Sequence, residues 1–123
     1  MINLELSVVI PVYNEEKNIA ETLRRIRAFM TLKNEPWECL VVNDGSSDRT
    51  ESITRAVIAA EPENHFKFLS NPLNHGKGFA VRQGVLAASG RFILVTDVDL
   101  SAPIKEVDKL TKALNEGFDV AIG

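Results

Sequence analysis

The distribution of apolar residues constrains the fold of this chain more than any other feature of its sequence. Five short apolar runs, at residues 6–10, 37–42, 66–69, 92–96 and 118–122, alternate with segments whose apolar residues recur at helical spacing. Runs that are apolar at nearly every position are typical of parallel strands, because helices cover both faces of such a sheet. The alternation predicts an α/β fold with an open, mostly parallel, Rossmann-like sheet, formed by residues 1–123 as one domain.

Composition and charge exclude several classes of protein. The chain has 123 residues, 45% of them hydrophobic, which is enough for the core of one domain. Its net charge of −3 argues against a nucleic-acid partner and against a basic membrane-binding surface. The only cysteine, Cys39, lies in an apolar run and is most simply a small core residue, which fits a reducing compartment. We find no signal peptide and no spanning apolar segment, so we expect a cytoplasmic location.

Polar clusters follow four of the predicted strands, at residues 11–15, 43–48, 74–78 and 97–99. The carboxyl ends of parallel strands meet at one edge of the sheet, and ligands of open α/β sheets bind beyond that edge. Four chemically rich loops at one edge favour a single site over four unrelated turns. The clusters therefore predict one binding site at the carboxyl edge of the sheet.

The fourth cluster contains two acids, Asp97 and Asp99, directly after an apolar run. Residues i and i+2 of an extended strand project to the same face, so both carboxylates point beyond the strand end. Two carboxylates this close repel each other unless a cation joins them, and an oxygen-preferring divalent ion carried with a phosphate suits the pair. The alternative is a polar loop in which both acids are solvated or cap a helix.

The second cluster offers Asp44 and Gly45. The Asp44 carboxylate would accept a ring N–H from a pyrimidine base, while Gly45 lets the backbone come close. The alternative is a turn followed by a helix cap, because Asp48 and Glu51 have the spacing of a capping box.

The third cluster places Lys77 between Gly76 and Gly78, at the start of a helix predicted over residues 78–88. First-turn amides form an anion site, and Lys77 directs a compact positive charge toward a diphosphate. The glycine spacing differs from that of a P-loop. His75 is more simply a hydrogen-bonding loop residue than a metal ligand, since no second histidine or cysteine has ligand spacing near it. The alternative for Lys77 is a flexible turn with a solvated lysine.

The first cluster carries an acid, Glu15, after a strand that we expect Pro11 to stop at residue 10. One interpretation gives Glu15 a contact to the base or the ribose. In the other, Asn14 caps the first helix, with Glu15 and Glu16 near its positive end. The remaining histidine, His65, is expected on the surface.

Taken in order, these clusters resemble motifs of the family 2 glycosyltransferases that have the GT-A fold. The segments concerned are SVVIPVYNEE at 7–16, NDGSSDRT at 43–50, NHGKGFAVR at 74–82 and DVDLSAP at 97–103. The last two are similar to the branch that makes dolichyl- or polyprenyl-phosphate sugars, with the glucosyl enzymes closest. The resemblance covers essentially the whole chain, in order and in spacing.

The resemblance implies a role for each matching residue. Pro11, Tyr13, Glu15 and Asp44 would hold the nucleoside, with Gly45 beside them, and Lys77 would lie near the base or the phosphates. Asp97 would face the ribose or the metal, and Asp99 would bind Mg²⁺ or Mn²⁺ through the donor diphosphate. The resemblance thus assigns catalysis and metal binding to Asp97 and Asp99, which form a DXD motif.

The implied reaction is inverting transfer of a hexose, glucose from UDP-glucose, to a polyprenyl or dolichyl phosphate. The metal would neutralise charge that develops on the leaving diphosphate. A phosphate acceptor is already anionic, so a general base is not required.

The chain departs from the family pattern at three residues and in length. Asn43 stands where an aspartate is common, His75 where arginine is frequent, and Val98 where alanine is usual. The chain ends at Gly123, so we expect a donor-binding portion that lacks the acceptor half and does not complete turnover by itself. An open sheet edge would favour a homo-oligomer, and the whole protein would work at the cytoplasmic face of a membrane.

Two other functions fit parts of the sequence. An apolar strand followed by Asp97 and Asp99 resembles the nucleophile strand of haloacid-dehalogenase-type phosphatases, in which the first aspartate attacks phosphorus. That strand normally opens its domain, whereas three strand–helix units precede it here. The other possibility is a non-catalytic fragment that binds a nucleotide.

Overall fold

The computed structural model describes residues 4–33, 35–61 and 63–98, together with the backbone of 120–122. Strands and helices alternate over the described residues up to 95, as the apolar pattern predicts. Their bounds are β1 Leu6–Val12, α1 Ile19–Lys33, β2 Trp37–Asp44, α2 Thr50–Ala60, β3 Phe66–Asn71, α3 Lys77–Ala87, β4 Phe92–Val95 and β5 Val120–Ile122.

The strands form one parallel sheet in the order β3-β2-β1-β4-β5. This confirms the predicted α/β class and the Rossmann-like arrangement. The chain builds outward from β1 to β3 on one side and then continues from β4 on the other. The order therefore reverses between β1 and β4, and a crevice forms outside the carboxyl ends of strands at such a point.

Alternate residues of β2 face different helices, because side chains of a strand alternate between the two sides of a sheet. Cys39 and Val41 belong to the core that α1 and α2 cover, whereas Leu40 and Val42 belong to the core beneath α3. Cys39 is fully buried, as expected for a small core residue, and burial raises the pKa of its thiol. Helix α3 approaches the sheet closely at Gly84, where a Cβ atom would lie 2.3 Å from Val9 Cγ1.

The amino end of β2 carries a buried acid, Glu38, on the α3 side of the sheet. Its Oε2 atom accepts hydrogen bonds from Ser7 Oγ and Ser89 N, both at 2.6 Å, and Oε1 lies 2.8 Å from Lys67 Nζ. Burial alone would raise the pKa of Glu38, but the hydrogen bonds from Lys67, Ser7 and Ser89 together lower it below the ordinary 4.5. Because Ser89 follows α3, this acid fixes the C-terminal end of that helix.

The prediction that Pro11 stops the first strand is wrong, since β1 continues to Val12. Val9 O accepts a hydrogen bond from Thr96 N, so the polar backbone groups of Val9 face β4. The nitrogen of Pro11, two residues on, faces the same side, where β4 has already ended at Val95. The missing N–H of Pro11 therefore removes no bond from the sheet.

The capping-box prediction is also wrong. Asp48 does accept a hydrogen bond from Thr50 N at 2.9 Å, but Glu51 turns away from Asp48 and accepts one from Ser70 Oγ at 2.7 Å. Asn14 does not cap α1, which begins at Ile19.

Within the described ranges, no helix is both long enough and apolar enough to cross a bilayer.

Candidate functional site

A cleft of about 590 Å³ opens beyond the carboxyl ends of β1, β2 and β4, where the strand order reverses. It contains six of the eight residues predicted for the site. All the lining residues are Pro11, Val12, Tyr13, Glu15, Asn18, Asp44, Asn74, Gly76, Lys77, Asp97 and Val98. The structure thus brings residues from four separate loops into one cavity.

The loop after β1 is fastened to the loop after β2 by hydrogen bonds. Asn14, which has a positive φ of 51°, donates from its N–H to Ser46 Oγ, and its Oδ1 accepts from Ser47 N at 2.8 Å. Glu15 N donates to Thr50 Oγ1 at 2.7 Å. These contacts fix the backbone on both sides of Glu15, so its side chain enters the cleft from a constrained loop.

Asp44, the last residue of β2, holds the loop that leads into α3. The buried carboxylate accepts hydrogen bonds from His75 N at 2.8 Å and from Gly76 N at 2.9 Å. A carboxylate has about four lone-pair positions, so the two loop amides do not use the full accepting capacity of Asp44, which lines the cleft. Asp44 can therefore shape the loop and accept a ligand N–H at the same time.

Gly45 does not line the cleft, although it was predicted as a site residue. It has a φ of +73°, and a Cβ atom there would lie 2.5 Å from Asn74 N and from the carbonyl carbon of Leu73. The close approach predicted for Gly45 is thus made to the backbone of the same chain. It lets the loop before α3 lie against the end of β2.

Asn43, which replaces the aspartate common in the family, links three segments. Its Nδ2 donates to Ser70 Oγ at 3.1 Å, and its Oδ1 accepts from Ser46 Oγ at 2.6 Å. Ser70 in turn donates to Glu51, and this hydrogen bond is the main cause of the lowered pKa of Glu51. An amide can donate and accept at one position, which an ionised carboxylate cannot.

Lys77 and Asp97 meet across the cleft, with Lys77 Nζ 2.7 Å from Asp97 Oδ1. The segment that carries Asp97 is fixed on both sides. Thr96 N donates to Val9 O at 3.0 Å, and Thr22 Oγ1 donates to Val98 O at 2.6 Å. The ammonium group of Lys77 thus places a positive charge at the carboxylate predicted to bind a cation.

Asp99, the other predicted catalytic and metal residue, lies outside the described residues. Within the described ranges, no group of three or more His, Cys, Asp or Glu side chains is arranged to hold a metal ion. Asp97 supplies one carboxylate to the cleft. Oxygen donors of this kind suit Mg²⁺ and Mn²⁺.

Two asparagines of the cleft were not singled out from the sequence, Asn18 and Asn74. Asn74 Oδ1 accepts a hydrogen bond from Gly76 N at 3.1 Å, so it braces the same loop as Asp44. Asn18 directly precedes α1. Its place one residue before the first apolar helix position is a signal that could have found it.

The two histidines have different surroundings. His75 acts as a loop residue, as predicted, and its ring lies 4.7 Å from the ring of Phe79. The prediction of a surface position for His65 is wrong, because its ring stacks on Trp37 with centroids 4.0 Å apart. A local apolar pattern does not reveal this contact, since Trp37 precedes His65 by a whole strand–helix unit.

The chain belongs to glycosyl transferase family 2, whose family model matches residues 7–123. Over 116 residues it is 36% identical to the undecaprenyl-phosphate 4-deoxy-4-formamido-L-arabinose transferase of Yersinia enterocolitica, covering 94% of this chain and 35% of the relative. Its identity to the enzyme of the same name in Pectobacterium carotovorum is 38%, with the same coverage. The predicted resemblance is confirmed, and the chain spans about a third of the length of these relatives.

Solved structures with the same fold include two glycosyltransferases. Mannosyltransferase PcManGT from Pyrobaculum calidifontis, in complex with GDP-Man and Mn²⁺, matches with a TM-score of 0.72 and 26% identity, over 89% of this chain and 31% of that one. Glucosyl-3-phosphoglycerate synthase from Mycobacterium tuberculosis, in complex with Mn²⁺, UDP and phosphoglyceric acid, matches with a TM-score of 0.68 and 28% identity. The match covers 90% of this chain and 39% of that one. None of these matches supports the phosphatase interpretation of the two aspartates.

Proposed function

We propose that this chain is the donor-binding portion of a glycosyltransferase that transfers a hexose from a nucleoside diphosphate sugar to a polyprenyl phosphate. The observation that carries the proposal is the meeting of Asp44, Lys77 and Asp97 in one cleft at the point where the strand order reverses. An acceptor for a base, a cation for a diphosphate and a carboxylate for a metal ion lie together there.

Each residue has a distinct part in donor binding. The free lone pairs of Asp44 accept a ring N–H of the base, while Pro11, Tyr13 and Glu15 form the wall along which the nucleoside lies. Lys77 begins α3, so its ammonium group and the first amides of the helix face the diphosphate together. When a diphosphate enters, Lys77 exchanges its contact with Asp97 for contacts with the phosphate oxygens.

The oxygen ligands available in the cleft suit a divalent metal ion. The ammonium group already 2.7 Å from Asp97 shows that this carboxylate attracts positive charge, and carboxylate and phosphate oxygens are ligands that Mg²⁺ and Mn²⁺ prefer. We assign Asp97 and Asp99 to the metal. When bound, the ion supplies charge neutralisation at the leaving diphosphate. Two structural neighbours are complexes with Mn²⁺, which supports this assignment.

The relatives favour a polyprenyl phosphate as acceptor, since two of them are named undecaprenyl-phosphate transferases. Such an acceptor places the reaction at a membrane surface. A phosphate oxygen is already ionised, so the described residues need not remove a proton from it. We assign UDP-glucose as donor from the sequence motifs. The relatives carry another sugar in their names, and the structural neighbours include both GDP-Man and UDP complexes.

Calorimetric titration with UDP and with GDP, with and without Mn²⁺, tests the proposal. We expect the wild-type chain to bind UDP more tightly when Mn²⁺ is present. Asp44→Asn should weaken binding by about tenfold or more because a charged acceptor of the base is lost, and Asp99→Ala should abolish the effect of Mn²⁺. Glu21→Gln, in an exposed ion pair on α1, is the matched control and should change nothing.

The absence of binding of either nucleotide, or equal affinity in the Asp44→Asn variant, would contradict the assignment. A chain that binds donor without transferring sugar is the remaining alternative. Incubation with UDP-glucose and undecaprenyl phosphate separates the two only in a longer protein that contains this chain, because only a complete enzyme forms the glycolipid. From the sequence we expect this chain alone to bind donor and to form none.

A further inference from the structure

Helix α1 carries a polar side chain in the middle of its buried, otherwise apolar face. Thr22 is 4% exposed, so its hydroxyl lies where an apolar side chain would pack. Burying a hydroxyl costs free energy unless the hydroxyl has a hydrogen-bond partner. A valine would have nearly the same shape without a polar group, so the apolar contacts of α1 do not explain the hydroxyl of Thr22. The buried residues of this helix are Ile19, Thr22, Leu23, Ile26 and Met30.

The hydroxyl of Thr22 forms its hydrogen bond outside its own helix. A threonine inside a helix commonly donates to the carbonyl four residues earlier. Thr54 of α2 does so, with its Oγ1 2.7 Å from Thr50 O. Thr22 Oγ1 instead donates to Val98 O at 2.6 Å, 76 residues further along the chain. Because a hydroxyl has a single proton, this bond excludes donation to the carbonyl of Asn18 in the preceding turn.

The carbonyl that Thr22 holds lies between the two aspartates assigned to the metal ion. Val98 follows Asp97 and precedes Asp99 in the sequence, and both Asp97 and Val98 line the cleft. The backbone just before Asp97 is already hydrogen-bonded to β1. Because a peptide unit is planar, the bond to Val98 O restricts rotation of the unit that joins Val98 to Asp99. The bond from α1 therefore fixes the backbone within the pair of aspartates.

We infer that Thr22 is a positioning residue for metal binding, which holds the Val98 carbonyl so that Asp97 presents its carboxylate to a divalent ion in the cleft. Groups that hydrogen-bond behind the ligands of a metal ion fix the orientation of those ligands. Without the hydroxyl, the carbonyl of Val98, a residue only 7% exposed, loses this donor and turns toward another one. The inference rests on the proposed function in one respect, the assignment of the metal ion to Asp97 and Asp99.

Calorimetric titration of the Thr22→Val variant with UDP, with and without Mn²⁺, tests the inference. This substitution removes the hydroxyl and keeps the shape of the side chain. The measured quantity is the Mn²⁺ enhancement, which is the Kd for UDP without Mn²⁺ divided by the Kd with Mn²⁺. We expect this enhancement to be about tenfold smaller than in the wild type. The Kd without Mn²⁺ should stay near the wild-type value, because Thr22 does not line the cleft.

Two further substitutions separate positioning from a purely structural role. Thr22→Ser keeps the hydroxyl and should keep the wild-type Mn²⁺ enhancement. Thr54→Val is the matched control, because Thr54 is also buried but its hydroxyl bonds within α2, so the enhancement should not change even if the free energy of unfolding does. Circular dichroism checks that each variant is folded. Thr22→Ala removes the same hydroxyl and should show the same loss, should Thr22→Val not fold.

The same titrations distinguish failure of this inference from failure of the proposed function. If Mn²⁺ strengthens UDP binding equally in the wild type and in Thr22→Val, only the role of Thr22 is wrong. Equal losses of the enhancement in Thr22→Val and Thr22→Ser, or in Thr22→Val and Thr54→Val, would also overturn that role. If the wild type binds UDP but Mn²⁺ has no effect, the metal assignment of the proposed function is wrong, and the inference is wrong with it.

Discussion

At each end of β2 a buried carboxylate on the α3 side of the sheet accepts hydrogen bonds from the backbone next to α3, but only the carboxylate at the carboxyl end lines a cleft. Glu38, at the amino end, binds Ser89 after the helix. Asp44, at the carboxyl end, binds His75 and Gly76 before the helix. The two acids thus fix opposite ends of one helix, and the apolar residues Leu40 and Val42 lie between them.

The difference between the two ends lies in what else contacts each acid. Glu38 also has Ser7 and the ammonium group of Lys67, so a donor lies 2.6 Å from one of its oxygens and a cation 2.8 Å from the other. Within the part of the chain that the structure describes, Asp44 accepts hydrogen bonds only from the two loop amides, and it lines a cavity of about 590 Å³. An acid beside a strand–helix loop is therefore no evidence of a ligand by itself. Of these two acids, only Asp44 lines a cleft, so only Asp44 is a candidate to accept a hydrogen bond from a ligand there.

The largest effect is expected at Glu38. Replacing Glu38 by Gln should lower the free energy of unfolding by about 2–3 kcal/mol at neutral pH, because a buried acceptor of several donors loses its charge. Urea unfolding measures this change. Glu21→Gln should change it by less than about 0.5 kcal/mol, since the Glu21–Arg24 pair is exposed.

The same variant should show a distinctive pH dependence. The pKa of Glu38 is lowered on folding, so its contribution to stability is fully present above its ordinary pKa of 4.5 and is lost as the pH falls through the folded value. The difference in stability between wild type and Glu38→Gln should therefore shrink as the pH drops below 4.5. A difference that stays constant into acid would show that Glu38 is not ionised in the folded chain.

A smaller loss of unfolding free energy is expected at Gly45, which packs against the loop before α3. Gly45→Ala requires a positive φ of an alanine and brings its Cβ atom to 2.5 Å from the backbone of the loop before α3. We expect a loss of about 2 kcal/mol in unfolding free energy. Gly78→Ala is the control, because a Cβ atom there meets nothing within 4 Å, and it should stabilise the helix slightly. Equal effects would contradict the close packing of this loop.

Lys77→Met should separate binding from stability. The Lys77 side chain is 66% exposed, so loss of its ion pair with Asp97 should change stability by less than about 0.5 kcal/mol. If Lys77 binds the diphosphate, the Kd for UDP should rise by about tenfold. Arg82→Met, on the same helix but outside the cleft, should leave the Kd unchanged. Unchanged UDP affinity in Lys77→Met would remove Lys77 from the site.

The sequence predicted the parallel sheet and the gathering of the polar clusters at one edge, because both follow from local apolar periodicity and from strand direction. It did not predict which contacts form between distant loops. The partners of Asp44 lie 31 and 32 residues further along the chain, and no local pattern links them. Glu38 was missed for the same reason, since a glutamate in an apolar strand shows its partners only after folding. Pro11 was misjudged because its neighbour strand had already ended.

The most direct test of the account is a nuclear magnetic resonance titration of the chain with UDP and Mg²⁺, which compares the two ends of β2. The account predicts that the backbone amides of Gly76, Lys77 and Asp97 shift as UDP binds, while those of Ser89 and Gly90 do not. Shifts of equal size at both ends, or none at the cleft when UDP is saturating, would contradict it.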